Sequence, residues 1–285
     1  MASQLSVFAQ LGDFALSLWP LLILIAGLIL LSKVLKHPFL KKVSMAIGVT
    51  LVVVLLGLKL LFLFLYPIKP IEYKVPVSEN LMLKVEFSHG RLQINTNQNS
   101  GEMVLNSLDT SRGHVLSTED YTEFLEGKES RVKAYVLRRQ LQETLLTRTK
   151  SEATLLIPKD YNGAATMALY EASGEFDLKD STLQSLTVSL FASNVRVFLP
   201  KSEKFNSFTL KGGSQLAAEI FIPEDATIVL RDLRGVLNTA PEGFAKESDG
   251  VYRKQGISSN SFELIIDTAP PRALAVKRYS QHNTQ

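Results

Sequence analysis

Cysteine is missing from all 285 residues. That excludes a disulfide framework, a thiolate nucleophile and any zinc site built on sulfur. Histidine is scarce: His37, His89, His114 and His282 stand apart, with no pair at helical metal-ligand spacing and none beside a carboxylate motif. A Gly-rich phosphate loop, a Gly-x-Ser-x-Gly elbow and a kinase signature are all lacking. The sequence thus predicts no metal, no cofactor and no catalytic residue. Excess charge is lacking too, because the formal net charge is only +3, so a basic nucleic-acid-binding face is not indicated.

Charge is also absent from two long stretches. Phe14 to Ser32 carries none, and Ser44 to Tyr66 carries only Lys59. As helices these segments reach about 28 and 34 Å, against a bilayer hydrocarbon core of about 30 Å. Met1 to Phe14 has no Lys or Arg, and the apolar run after it exceeds a signal-peptide core, so cleavage is not expected. The expectation is a membrane anchor over residues 1–66, with transmembrane helices at about 14–32 and 44–66. Lys33, Lys36, Lys41 and Lys42 crowd the segment between them, which the positive-inside rule keeps in the cytoplasm. Both chain ends then lie outside, with Trp19 and Tyr66 towards the outer interface. Lys59 has two readings: it snorkels to the interface, or it contacts another helix or subunit inside the membrane.

Pro67, Pro70 and Pro76 end the second helix and predict an extended stalk over 67–80. The period then changes to two, as in Leu81, Leu83, Val85 and Phe87. Two series of apolar pairs recur. Leu155/Ile157, Phe176/Leu178, Val197/Leu199 and Ile220/Ile222 are spaced by 21, 21 and 23 residues. Between them Met167/Leu169, Val188/Leu190, Phe208/Leu210 and Ile228/Leu230 are spaced by 21, 20 and 20. Turn residues keep the same phase at 172–174, 192–194, 212–214 and 233–235, and Pro158, Pro200 and Pro223 each follow a strand of the first series. One period shared by strands and corners predicts an all-β, β-solenoid-like domain over 81–278 with a tail at 279–285; evenly spaced strands of an antiparallel sandwich are the alternative.

The stretch Leu83 to Ile94 resembles the opening strand, glycine corner and return strand of the toast-rack family, which includes the C-terminal part of LiaF-type envelope-stress regulators. Ser173 to Leu178 and Asn194 to Pro200 resemble its central repeats, while Gly250 to Arg253 and Phe262 to Ile266 resemble its closing element. Where that family has Gly-x-Gly corners, this chain has Ala192-Ser193-Asn194 and Ala269-Pro270-Pro271. The resemblance implies a structural or signalling module of the bacterial envelope and assigns no catalytic residue.

Two polar clusters remain. Glu175, Asp177 and Asp180 lie close enough for general acid-base work, but alternation turns Glu175 and Asp177 to water when Phe176 and Leu178 face the core. The basic run that includes Arg131, Lys133, Arg138 and Arg139 is a candidate contact for an anionic lipid or polymer surface, diluted by Glu126, Glu129 and Glu143. The expected partners are the lipid bilayer, another membrane or envelope protein and a second copy of the chain. The function expected is that of a non-catalytic sensor, scaffold or regulator. A binding module for cell-wall polymer or anionic lipid and a cytoplasmic, bactofilin-like tethered scaffold stay open.

Overall fold

Alternation decides which side of each strand is buried. In β2 (Met82–Ser88), Leu83, Val85 and Phe87 are fully buried while the residues between them are half-exposed. The computed structural model describes Gly27, Leu30 and residues 38–65, 68–77, 81–97, 101–110, 113–125, 128–139, 151–237 and 239–279. Eighteen strands in two large sheets make these residues mostly β.

The first sheet has the order β1 (Ile68–Pro76), β4 (Glu102–Thr110), β7 (Ser151–Pro158), β3 (Gly90–Asn97), β9 (Ser173–Asp177), β11 (Asn194–Phe198), β13 (Ala217–Pro223), β18 (Ala273–Tyr279). The second has the order β15 (Ala245–Ser248), β16 (Val251–Lys254), β14 (Thr227–Asp232), β17 (Ser261–Thr268), β12 (Ser207–Gly212), β10 (Ser185–Phe191), β8 (Ala164–Tyr170), β2, β6 (Lys128–Arg139), β5 (His114–Leu125). A strand of the second sheet turns a corner into a strand of the first, giving the rungs β2–β3, β8–β9, β10–β11, β12–β13 and β17–β18. Successive rungs pair in parallel on both sides. Inward residues of the two sheets therefore meet in one core, with Phe87, Phe176, Phe205 and Phe208 fully buried.

Corners are held by their neighbours. His89, Glu171 and Ala192 adopt φ of 50°, 49° and 50°, which side chains other than glycine and asparagine rarely take. The stack offsets this cost, because His89 N–H donates to the Tyr170 carbonyl at 3.0 Å and Glu171 N–H to the Phe191 carbonyl at 2.9 Å. Gly90 is required by close approach, since a Cβ there would penetrate the Ser151 backbone. Antiparallel strands bracket the parallel array: β4 on β7 and β5 on β6 at one end, β16 on β14 at the other. Near the latter end Lys254, only 4% exposed, donates to the Glu224 and Ala226 carbonyls at 2.5 and 2.8 Å and ties β16 to the start of β14.

Chain contacts divide after Lys69, so helix α1 (Pro38–Leu65) belongs to one compact unit and the strands from Pro70 onward to another. With 28 residues, α1 is about 42 Å long. Proline at its first position costs nothing, because that N–H has no helical partner. Met45, Ile47, Val49 and Val53 are all exposed, and Thr50 Oγ1 donates back to the Ala46 carbonyl at 3.0 Å. Among the described residues no helix is long and apolar enough to cross a membrane.

Several expectations are corrected. The helix begins at Pro38, not near 44, so Lys41 and Lys42 lie inside it. The helix expected at 14–32 falls outside the described residues except for Gly27 and Leu30, which are helical. The stalk is largely β1, an edge strand whose Tyr73 and Val75 pack against the core. Tyr279, assigned to the tail, ends β18. In the first series β3 lies between β7 and β9, so Leu155 faces Ile94 and Ile94 faces Phe176. In the second, Val188 pairs with Leu210 instead of Phe208, and β17 lies between β12 and β14. The physical reason is that a rung moves as a unit. β18 pairs with β13, which brings β17 onto β12, and β14, with no return strand after it, takes the outer place.

Candidate functional site

The two flanks of the β unit differ in chemistry. On the outer face of the first sheet Glu175, Arg196 and Glu219 are in register across three strands. Arg91 reaches Glu175 at 3.1 Å, Arg196 reaches Glu219 at 3.0 Å and Lys277 reaches Glu219 at 2.5 Å. Hydrogen bonds from Lys277 and then Arg196 hold the Glu219 carboxyl below the usual carboxylate range. One row further on Phe198 and Phe221 stack with centroids 4.4 Å apart, Lys179 lies 4.7 Å from the first ring and Lys277 lies 5.6 Å from the second. An open groove of about 590 Å³ runs along the same face past Glu72, Arg91, Gln93, Asn106, Glu152 and Thr154.

The second sheet carries ion pairs as well, Lys84 with Glu86 on β2 and Arg231 with Glu263 and Arg234 with Asp267 along β17, but three strands between them are nearly uncharged. Outward positions of β8, β10 and β12 read Ala164, Thr166, Ala168; Ser185, Thr187, Ser189; Ser207, Thr209, Lys211, aligned rung on rung, with a single charge among the nine. At the corner end of this face stand Tyr170 and Phe191, stacked 4.7 Å apart and 6° from parallel. They remain 41% and 49% exposed. Rings of this size are usually buried, so an exposed pair at the end of a nearly uncharged strip is the clearest candidate contact surface of the β unit.

The residues singled out from sequence are dispersed. Lys33 and Lys36 lie outside the described residues. Lys41 and Lys42 are in the first turns of α1, Lys42 exposed, and Lys59 lies within the same helix. Arg131, Lys133, Arg138 and Arg139 are on β6, whose antiparallel partner β5 brings acidic residues beside them. Lys133 faces Asp120 and Arg138 pairs with Glu119 at 3.0 Å. Over residues 114–139 five Lys and Arg meet five Asp and Glu, so the hairpin is neutral. Glu175 is engaged by Arg91, and Asp177 pairs with Lys179 at 3.0 Å. His89 sits in its corner with Nδ1 3.6 Å from Glu171, and His114 is buried against Phe87 with ring centroids 4.3 Å apart. Among the described residues no group of three His, Asp or Glu side chains could hold a metal. The sequence reading passed over Tyr170 and Phe191. The signal was there, an aromatic ending each of two successive strands 21 residues apart, immediately before the corner.

Fold and faces together define a mostly β domain of stacked rungs with ion pairs on both sheets and, across β8, β10 and β12, one nearly uncharged strip edged by two aromatics. No family model and no curated protein matches the chain. Among solved structures, a "putative cell adhesion protein" from Clostridium sporogenes superposes with a TM-score of 0.55 over 74% of this chain and 100% of the other, at 18% identity, which establishes likeness of fold alone. A "putative adhesin" from Bacteroides fragilis, 11% identical and covering 74% of this chain and 97% of its own, has a TM-score of 0.27, too low to bear on the argument.

Proposed function

We propose that this protein is a membrane-anchored, non-catalytic envelope protein whose β domain works by contact, as a sensor, scaffold or regulator of the toast-rack type. The observation that carries the contact reading is the exposed Tyr170–Phe191 pair at the end of the nearly uncharged strip formed by β8, β10 and β12. The carboxylates best placed by sequence for acid-base chemistry, Glu175 and Asp177, are instead occupied by Arg91 and Lys179. The adhesion role named for the Clostridium sporogenes protein is in keeping with a binding domain. Anchoring rests on the two apolar segments of the sequence, supported by the exposed Met45, Ile47, Val49 and Val53 of α1, which water disfavours. The lysines of residues 33–42 support a cytoplasmic position for that segment by the positive-inside rule, and with it an exterior β domain. The anchor makes the bilayer one partner, and an envelope protein or a second copy the other.

Topology is testable without background labelling, because the chain has no cysteine. In intact cells a membrane-impermeant maleimide should label Asp249→Cys, at a fully exposed turn, and leave Ser32→Cys unlabelled. The reverse pattern would move the β domain to the cytoplasm.

A further inference from the structure

We infer that the Tyr170–Phe191 platform is a stacking subsite for a pyranose ring of a glycan. The stack is unfinished on one side. The last paired residues of β10 and β12 are Leu190 and Gly212, so the position beside Phe191 on the next rung falls to Gly213. One rung beyond comes Ala269, whose N–H donates to the Gly212 carbonyl at 3.1 Å. Nothing lies within 4 Å of where a Cβ on Gly213 would point. The space beside Phe191 at Gly213 is therefore open, and the neighbouring rung adds only the small Ala269, which leaves a shelf on which a ring can stand parallel to Phe191.

The shelf's border selects the ring. Two residues before Gly213 is Lys211, and two before Ala269 is Asp267, which accepts from Arg234 Nε at 2.7 Å. Ser189 completes the row beside Phe191. An aromatic side chain of a protein partner would cover these groups and offer them no hydrogen bonds, a costly desolvation. A pyranose has an apolar C–H face for Phe191 and a rim of hydroxyls for Lys211, Asp267 and Ser189, so it satisfies both. The hydroxyl rows Ser185/Ser207 and Thr187/Thr209 continue in register away from the shelf and extend the neutral surface for further sugar units. The first sheet, with its ion pairs and lysine-covered rings, offers no comparable open aromatic face among the described residues.

This inference deepens the contact reading and names its ligand class. The test is a glycan array of hexopyranose, N-acetylhexosamine and uronate oligosaccharides, probed with the full-length protein in detergent micelles. At least one of these classes should bind, and both Phe191→Ala and Gly213→Leu should weaken binding tenfold or more while the unfolding midpoint stays within a few degrees of wild type. Leucine at Gly213 fills the shelf without removing any contact, so it separates a blocked site from a damaged fold. Absence of binding to every class, binding that survives Gly213→Leu, or equal competition by N-acetyltryptophanamide would each overturn the glycan assignment. If the array fails while Asp249→Cys is labelled from outside, the exterior protein-contact reading stands and only the ligand is lost.

Discussion

Val197 lies in register with Phe176 across the β9–β11 ladder, 21 residues apart in the chain, and both are fully buried. On its other side Val197 faces Ile220. Replacing Val197 by Asp puts an unpaired carboxylate between two apolar rungs and should cost several kcal/mol, on the order of 3 to 5. Its neighbour Arg196 points outward to Glu219, so Arg196→Ala should cost about 1 kcal/mol or less. Urea unfolding of residues 70–285 would separate the two, and equal effects would refute the inward and outward assignment.

Close approach at the first corner gives a second expectation. Gly90→Ala drives a methyl into the Ser151 backbone and should destabilise by about 1 to 3 kcal/mol, whereas Gly213→Ala, in open space, should be near neutral. Thermal unfolding midpoints of the two variants would decide it. Loss of stability in both would mean that the corners are constrained by something other than rung-to-rung contact.

Two phenols, the fully buried Tyr161 and the half-buried Tyr279, bear on stability at alkaline pH. Burial pushes the hydroxyls of Tyr161 and Tyr279 well above the ordinary tyrosine range, where Tyr161 donates to the Leu81 and Ala164 carbonyls and Tyr279 to the Leu199 carbonyl. A folded pKa above the unfolded one means the folded state holds its proton longer. The stability this gives is complete below about pH 10 and is lost as pH rises beyond it. Unfolding followed from pH 8 to 11 should show stability falling above 10, and the fall should be shallower in Tyr161→Phe with Tyr279→Phe. An unchanged slope in the double variant would remove these two groups as the cause.

Glu219 contributes at the opposite, acid end. Its carboxyl is held below the usual range by Lys277 and Arg196, so its contribution is present above the unfolded value and fades as pH falls through the folded one. Glu219→Gln should therefore flatten the loss of stability between about pH 5 and 3 and reduce its dependence on salt. A variant with the wild-type acid profile would show that the ion-pair row is decorative.

Probe choice shows how much depends on non-local packing. Ser107, a small polar residue that suggests an accessible labelling site, is only 5% exposed on β4, whereas Asp249 is open. Likewise Arg131 to Arg139 reads as a basic stripe until β5 lays Glu119 and Asp120 along it. The contact surface was half legible: Tyr170 and Phe191 each end a strand of the repeat, but only rung stacking makes them one platform.

The sequence by itself determined what alternation and composition control: strands with one apolar side, corners near 172, 192 and 212, and a long apolar helix ahead of the β region. A two-residue shift of β12 against β10 left every inward residue inward, because side chains along a strand repeat every two residues. Only the tertiary structure decided which strands are neighbours. The insertion of β3 between β7 and β9, and of β17 between β12 and β14, is set by pairings between residues far apart in the chain, which local spacing does not record. The same non-local pairing set the ion pairs, Arg196 with Glu219 on one sheet and Arg231 with Glu263 on the other, because charge balance on a sheet face depends on which strands lie side by side.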